Sequence, residues 1–376
     1  MAKTKEFITK NHPKTLLVGI QAPYNTTKNI QSYFDEFVHL VESNNIEYDD
    51  ALFIKLREID PGYFFTKGKL EEIRALCEEN EVEEVIISEP LTPRQERNIS
   101  ELFGCTIFDR THLILEIFEK SAHSAEGKLQ VEIAMLQYMR SRPSSKGIFM
   151  SQQAGFVGGK GPGETAKERE QRHIDEHILK LKKHLKQLSK TRDTQRKQRL
   201  DSHVPQICLV GYTNTGKSTL LNQLTKAQVL AEDRLFATLD TTTRELFVDG
   251  KKKGVISDTV GFIQHLPPSL IEAFKSTLDE LRHADLLLQV VDISDPNWRE
   301  HIAVVNGILA DLEVTKNLLY VFNKADAPVE EHAPLLEREL FQPNVMISSL
   351  SKEGVEPLIE FLRTWNNKAP EAPAES

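Results

Sequence analysis

Eight consecutive residues, Gly211-Tyr212-Thr213-Asn214-Thr215-Gly216-Lys217-Ser218, place two glycines, a lysine and a hydroxyl at the GxxxxGK[ST] spacing. The chemistry open to such a segment is the wrapping of a polyphosphate. Gly211 and Gly216 let the backbone turn so that successive N–H groups, and the start of the following helix, face anionic oxygens. Lys217 can neutralise the β- and γ-phosphates, and the Ser218 hydroxyl can fill one position of a Mg²⁺ ion. A loop of this kind needs a strand before it and a helix after it. The apolar run Ile207 to Val210 and the helix-like run Thr219 to Leu224 supply both.

A second constellation identifies the base. The strand-like run Leu318 to Phe322 ends in Asn323-Lys324-Ala325-Asp326. An Asp at the end of such a strand can accept two hydrogen bonds from the N1–H and N2–H₂ of guanine. Adenine has no N1–H and would leave that carboxylate unmatched, which discriminates strongly. Asn323 would brace the loop and the Lys324 stem would cover the base plane. An NKxD tetrapeptide alone is more often a polar turn; about a hundred residues after a phosphate loop and directly after an apolar strand, it becomes specific. Ser348-Ser349-Leu350, after Val345 to Ile347, fits a further base-facing loop. The expected ligand is GTP or GDP.

Two intervening segments fit sensors of the γ-phosphate. Val255 to Ser257 leads into Asp258-Thr259-Val260-Gly261, in which Asp258 would hold Mg²⁺ through water and the Gly261 N–H would meet the γ-phosphate. Phe236-Ala237-Thr238-Leu239-Asp240 offers Thr238 as a second metal-ligating hydroxyl, with Thr241, Thr242 and Thr243 as rivals. A segment held by such contacts and released on hydrolysis is a recurring switch. The residue after DTVG is Phe262, which cannot polarise water, and Gln264 lies two positions further on. Arg234 and Arg244 are either charges acting in cis or solvated loop arginines. Slow turnover that a partner accelerates is therefore expected, with Lys217, Thr238 and Gly261 at the reacting phosphate. The alternative is a binding protein in which GTP acts mainly as a conformational ligand. Asn214 could offer its amide oxygen to a K⁺ ion or simply brace the loop.

The 376 residues predict two or three domains. Three scattered cysteines (Cys77, Cys105, Cys208) argue for a reducing compartment and no disulfide framework. The polar N-terminus has no signal region, and the longest apolar stretch, Leu286 to Val291, is far too short for a membrane span. A cytoplasmic monomer is the expectation. The net charge of −9 argues against indiscriminate polyanion binding. Yet Ile133 to Gly163 contains no acidic residue, and Ile178 to Leu200 carries nine Lys/Arg against Asp193 alone. A basic, glycine-bearing loop suits RNA contact, whereas a basic helix is equally a solvated face.

The elements that must position these groups fall into an α/β class: a P-loop GTPase domain preceded by a small α/β domain and a long antiparallel helical hairpin. Residues 1–110 alternate strand and helix signals: strands at Leu16 to Ile20, Ala51 to Leu56 and Val85 to Ser88, helices at Asn29 to Ser43, Lys69 to Glu79 and Pro93 to Leu102, the last capped by Thr92. No catalytic constellation and no second phosphate loop is visible there. Residues 111–200 read as the hairpin. One long helix runs from Thr111 toward Arg140 on Ile114, Ile117, Phe118, Leu129, Ile133 and Leu136. A Gly-rich tip loop occupies about 141–165, with Gly155, Gly158, Gly159, Gly161, Pro162 and Gly163. A second helix carries an a/d seam of Ile174, Ile178, Leu181, Leu185 and Leu188. Residues 201–366 form the GTPase domain, and 367–376 a disordered tail.

With these residues identified, the chain resembles the HflX family of GTPases, in the Obg-like branch. The resemblance rests on Phe236 to Asp240, on DTVGFI followed by Leu266-Pro267, and on ADLLL at Ala284 to Leu288. In the N-terminal half it rests on Gly68-Lys69-Leu70, Leu91 to Gln95, Asp109-Arg110-Thr111, Glu126 to Glu132 and Gly161 to Thr165. It implies a Mg²⁺-dependent GTPase that binds the large ribosomal subunit and its rRNA, acts in dissociating or rescuing stalled ribosomes, and presents the Gly-rich loop near the peptidyl-transferase centre. The chain departs from the family pattern at Thr241, where Pro is usual, and at Lys160, where many relatives have Arg. It ends soon after Trp365 in a Pro/Ala/Glu tail, so the extra C-terminal domain of longer relatives is not expected.

Overall fold

The computed structural model describes residues 12–27, 29–142, 166–201, 204–225, 235–236, 239, 242–267, 270, 278, 280–327 and 337–365, with the backbone alone at 166–167 and 189–201. The chain divides into two compact units, residues 1–117 with 136–175, and residues 118–135 with 176–376.

In the first unit, β1 (Thr15–Gln21), α1 (Ile30–Ser43), β2 (Asp50–Lys55), α2 (Lys67–Glu79), β3 (Glu84–Ile87), α3 (Pro93–Phe103) and β4 (Thr106–Asp109) alternate and lead into α4 (Arg110–Ser121). The strands form one sheet in the order β2-β1-β3-β4, with every pair parallel. Almost every residue of β1 and β3 is buried, as expected of parallel strands whose faces are covered by crossover helices. Leu16, Val18, Ile20, Val85 and Ile87 share a core with Ile73 of α2 and Ile99 and Phe103 of α3. Local chemistry sets the helix limits. The Asn29 side chain accepts the Ser32 N–H at the start of α1, and α3 opens on a capping box between Thr92 and Gln95 and closes on left-handed Gly104.

The single helix expected from Thr111 to Arg140 is two, α4 and α5 (Ala125–Arg140). The break has a local cause: the Ser124 hydroxyl accepts the Gly127 N–H at 2.8 Å and starts a new helix. The apolar spacing ran across the break and concealed it. α6 (Ala166–Asp201) returns antiparallel to α5, with Arg140 paired to Asp175 at 2.7 Å and His177 to Glu132 at 3.5 Å. Along α6, Ile178 is buried and Ile174, Leu181, Leu185 and Leu188 are half-buried, at the positions of the expected a/d seam. Of the Gly-rich tip expected at about 141–165, residues 143–165, including Lys160, lie outside the described residues, as does the tail of 367–376.

The second unit is a six-stranded sheet in the order β10-β9-β8-β5-β7-β6. Its elements are β5 (Gln206–Gly211), α7 (Lys217–Leu224), β6 (Thr242–Val248), β7 (Lys251–Asp258), β8 (Leu286–Asp292), α8 (Trp298–Asp311), β9 (Leu318–Asn323), β10 (Asn344–Met346) and α9 (Glu356–Thr364). Every pairing is parallel except β6 with β7. That hairpin is an element the motif reading passed over. Its two-residue turn is Asp249-Gly250, with φ of 51° and 74°. Positive φ at both central residues is what a type I′ hairpin requires, and Asp-Gly meets it at low cost. Leu220, Leu221, Leu288, Val290, Val321 and Leu358 are among the residues that fill the core on one face of the sheet. Among the described residues, no helix is long and apolar enough to cross a membrane.

Candidate nucleotide site

Five strands of the second unit end at one edge, and their last residues bring the polar groups together. β5 runs into the loop at Gly211, β7 ends at Asp258, β8 at Asp292 and β9 at Asn323, and the loop after β10 carries Ser348, Ser349 and Leu350. Ligands of open α/β sheets bind at this carboxyl edge, and the segments expected to form a site meet there.

The phosphate loop is held by backbone geometry. Asn214 and Gly216 have φ of 58° and 87°. At Gly216 a Cβ would stand 2.4 Å from Asn323 Nδ2, so glycine is required both by conformation and by space. Asn323 joins three segments. Its Nδ2 donates to the Thr215 carbonyl at 2.8 Å and to Ser349 Oγ at 3.1 Å, while its Oδ1 accepts the Ser349 N–H at 3.0 Å. The NKAD segment is thereby tied to the phosphate loop and to the last loop. Lys324, in left-handed conformation, forms an ion pair with Asp292 at 2.6 Å. The Ser348 hydroxyl donates to the Asp326 carboxylate, and Ala325 donates its N–H to the Ile347 carbonyl at 3.1 Å.

Lys217 is buried, with Nζ donating to the Tyr212 carbonyl at 2.6 Å and the Gly211 carbonyl at 3.3 Å. Burial pushes its ammonium pKa down to about 8, against an opposing pull from the Asp258 carboxylate. Ser218 Oγ donates to Asp258 Oδ2 at 2.6 Å. A hydroxyl and a carboxylate oxygen so placed are hard donors of the kind Mg²⁺ takes. Among the described residues, no cluster of three or more His, Cys, Asp or Glu that could hold a metal occurs. Thr219 lies half-buried in the first turn of α7.

The segment after β7 lies against the phosphate loop. Gly261 is packed so closely that a Cβ there would stand 2.9 Å from Thr213 Cα and 3.1 Å from Lys217 Nζ. Thr259 turns its hydroxyl back to the Leu209 carbonyl at 2.7 Å, and Val260 is buried. Phe262 is 1% exposed, so its ring belongs to the core. Of the other switch segment, Phe236 and Leu239 are described and buried. Phe236 has a φ of 56°, and its ring meets Phe118 edge-on at 4.6 Å. Ala237, Thr238, Asp240, Thr241 and Arg234 lie outside the described residues. Arg244 is exposed on β6 and donates to the Thr243 carbonyl at 2.9 Å.

Two residues of this edge were not read from the sequence. Asp292, the partner of Lys324, carried a usable signal, since it ends an apolar strand as Asp258 and Asn323 do. His301, stacked on Tyr212 at 3.8 Å between ring centroids, lies in no motif.

Residues 31–119 match a family described as GTP-binding GTPase N-terminal, 121–199 one described as GTP-binding GTPase Middle Region, and 206–324 one described as 50S ribosome-binding GTPase. The chain is 43% identical to the GTPase HflX of Magnetococcus marinus, over 93% of this chain and 81% of that one. It is 40% identical to the GTPase HflX of Escherichia coli, over 87% of this chain and 77% of that one. A solved GTP-binding protein from Sulfolobus solfataricus in complex with GDP is 25% identical, with coverage of 93% and 97% and a TM-score of 0.46.

Proposed function

The chain belongs to the HflX family of GTPases, and from that premise we propose that it couples GTP hydrolysis to binding and release of the large ribosomal subunit, in ribosome dissociation, rescue or recycling. The observation that carries the nucleotide site is the bracing of the phosphate loop, the NKAD segment and the last loop by the one side chain of Asn323. Residues that must contact the two ends of one nucleotide are thereby held at a fixed spacing.

In this reading Asp326 accepts hydrogen bonds from the guanine N1–H and N2–H₂, and Lys324, aligned by Asp292, lays its stem on the base. Backbone N–H groups from Thr213 to Thr219 receive the phosphates, and Lys217 exchanges its two carbonyl partners for phosphate oxygens. Ser218 and Asp258 are the described residues that would hold Mg²⁺, with Thr238 assigned as a second hydroxyl. The ion would supply charge neutralisation at the phosphates. A water oxygen attacks the γ-phosphorus in line, the bond to the bridging β–γ oxygen breaks, and GDP and phosphate leave. Lys217 and the Gly261 N–H stabilise charge on the transferred group. Asn214 is assigned to a K⁺ ion beside the phosphates.

Support for the ribosome comes from the description of the family matched by residues 206–324, and from the acid-free run of Ile133 to Gly163. We place the protein in the cytoplasm, acting as a monomer. A second reading, an RNA-bound placeholder in which GTP is a conformational ligand, is favoured by Phe262, whose ring is buried and cannot order water. The deciding experiment is GTP turnover by the purified protein alone and with large ribosomal subunits, in potassium and in sodium. Strong stimulation by subunits is expected, with potassium dependence if Asn214 holds the ion. Binding without stimulation would support the placeholder, and absence of binding would remove the ribosome as partner.

A further inference from the structure

We propose that Tyr212 and His301 act as a positioning pair for hydrolysis, holding the Gly261 to Gln264 segment in place from the side away from the nucleotide. The Tyr212 hydroxyl accepts the Gln264 N–H at 2.8 Å. Its ring lies on the His301 imidazole with centroids 3.8 Å apart and planes 10° from parallel. Both side chains are buried. His301 projects from the first turns of α8, a helix seated by Trp298 and Ile302 in a core with Val291 and Phe322. Support therefore runs from the interior through His301 and the phenol to the backbone at Gln264.

The same stretch is tied to the phosphate loop twice more. Thr213 donates its N–H to the Phe262 carbonyl at 2.7 Å, and Phe262 donates to the Gly211 carbonyl at 3.1 Å. Gly261 directly precedes these three attachments and packs against Thr213 and Lys217 Nζ. With Phe262 turned into the core, no side chain at that position can order the γ-phosphate side of the site. At Gly261 and Phe262 themselves the polar groups on offer are backbone ones, and a backbone donor stabilises developing charge only if its position is fixed in advance. Tyr212 supplies that constraint through its side chain, while its main chain belongs to the phosphate loop. The inference rests on the GTPase reading above.

The test compares Tyr212→Phe, which keeps the stacked ring and removes only the hydroxyl, with His301→Ala and the double variant. Measured quantities are kcat, KM, GDP affinity and melting temperature. Expected is a loss in kcat of about tenfold for Tyr212→Phe, as for modest misplacement of a reacting group, with GDP affinity within about twofold. His301→Ala should show the same split, and the double variant should be little worse than Tyr212→Phe, since the two residues act in series. His301→Phe, which keeps a stacking ring, should recover most of the loss. An unchanged kcat in Tyr212→Phe overturns the proposal, as does an equal fall in kcat and GDP affinity, which would make the residue a simple binding contact. Should Tyr212→Phe not fold, a normal kcat in His301→Ala overturns it alone. Failure of the underlying site reading is distinguishable, because the unmodified protein would then neither bind GDP nor turn over GTP.

Discussion

Both sheets carry buried polar side chains to the carboxyl ends of their parallel strands, yet the two edges are built to opposite ends. At the N-terminal edge the side chains answer one another. Asp109, fully buried at the end of β4, accepts the Leu91 N–H at 3.0 Å, the His112 N–H at 2.9 Å, the Tyr138 hydroxyl at 2.9 Å and Arg142 Nη2 at 3.2 Å. Arg142 also pairs with Glu96, donates to the Leu91 carbonyl, and lies 3.6 Å over the Tyr138 ring. Glu89, two residues past β3, is buried beneath the Tyr24 and Tyr33 hydroxyls, and burial raises its pKa. Arg110 pairs with Glu36. At the second edge the connecting loops are glycine-bearing, and Asn323 binds loop to loop. Side chains that satisfy each other close the first edge, whereas at the second the loops are braced to one another by Asn323.

The largest effect that could break this contrast is Asp109→Ala. Removing one member of a buried charged network costs about 3–5 kcal/mol, so the melting temperature should fall steeply while the protein still folded binds GDP normally. Altered GDP affinity in that fraction would show that the N-terminal edge is not self-contained. Next is Lys217→Ala, the converse case: nucleotide affinity should fall more than a hundredfold, from loss of about 3 kcal/mol of charge-assisted bonding. Normal GTP affinity there would remove the phosphate site.

A smaller effect sharpens the contrast through pH. With its pKa near 8, Lys217 is charged below that pH and loses its proton above it. Phosphate contact favours the charged form, so above pH 8 binding must take up a proton. GDP affinity should be flat from pH 7 to 8 and then fall, approaching tenfold per unit. Calorimetric titration between pH 7 and 9, in buffers of different ionisation heat, checks both the fall and the proton uptake. Flat affinity with no uptake would contradict the assigned contact.

The parts of this architecture that could be read from residues alone share a property: their chemistry is local. The phosphate loop, DTVG and NKAD are short runs whose spacing is dictated by one ligand and by the strand before each. Helix limits set by Thr92 and Asn29 were local in the same way. What escaped depended on partners remote in sequence or on a signal overlaid by another. Arg142 reaches residues of three elements, which no spacing along the chain encodes. The break between α4 and α5 rests on Ser124, which an uninterrupted apolar pattern outweighed. The β6–β7 hairpin did carry an adequate local signal, Asp249-Gly250 between alternating strands. His301 has none, since its ring acquires a role only where α8 meets the phosphate loop.

We propose that the second edge reads guanine through Asp326. The most direct test is equilibrium binding of GDP, ADP and xanthosine diphosphate to the unmodified protein and to Asp326→Asn. Xanthine carries a carbonyl where guanine has its amino group, so an amide side chain can donate to it where a carboxylate would repel it. GDP should bind the unmodified protein and ADP should not, with a reversal toward xanthosine diphosphate in the variant. Undiminished GDP affinity in Asp326→Asn would contradict the proposal.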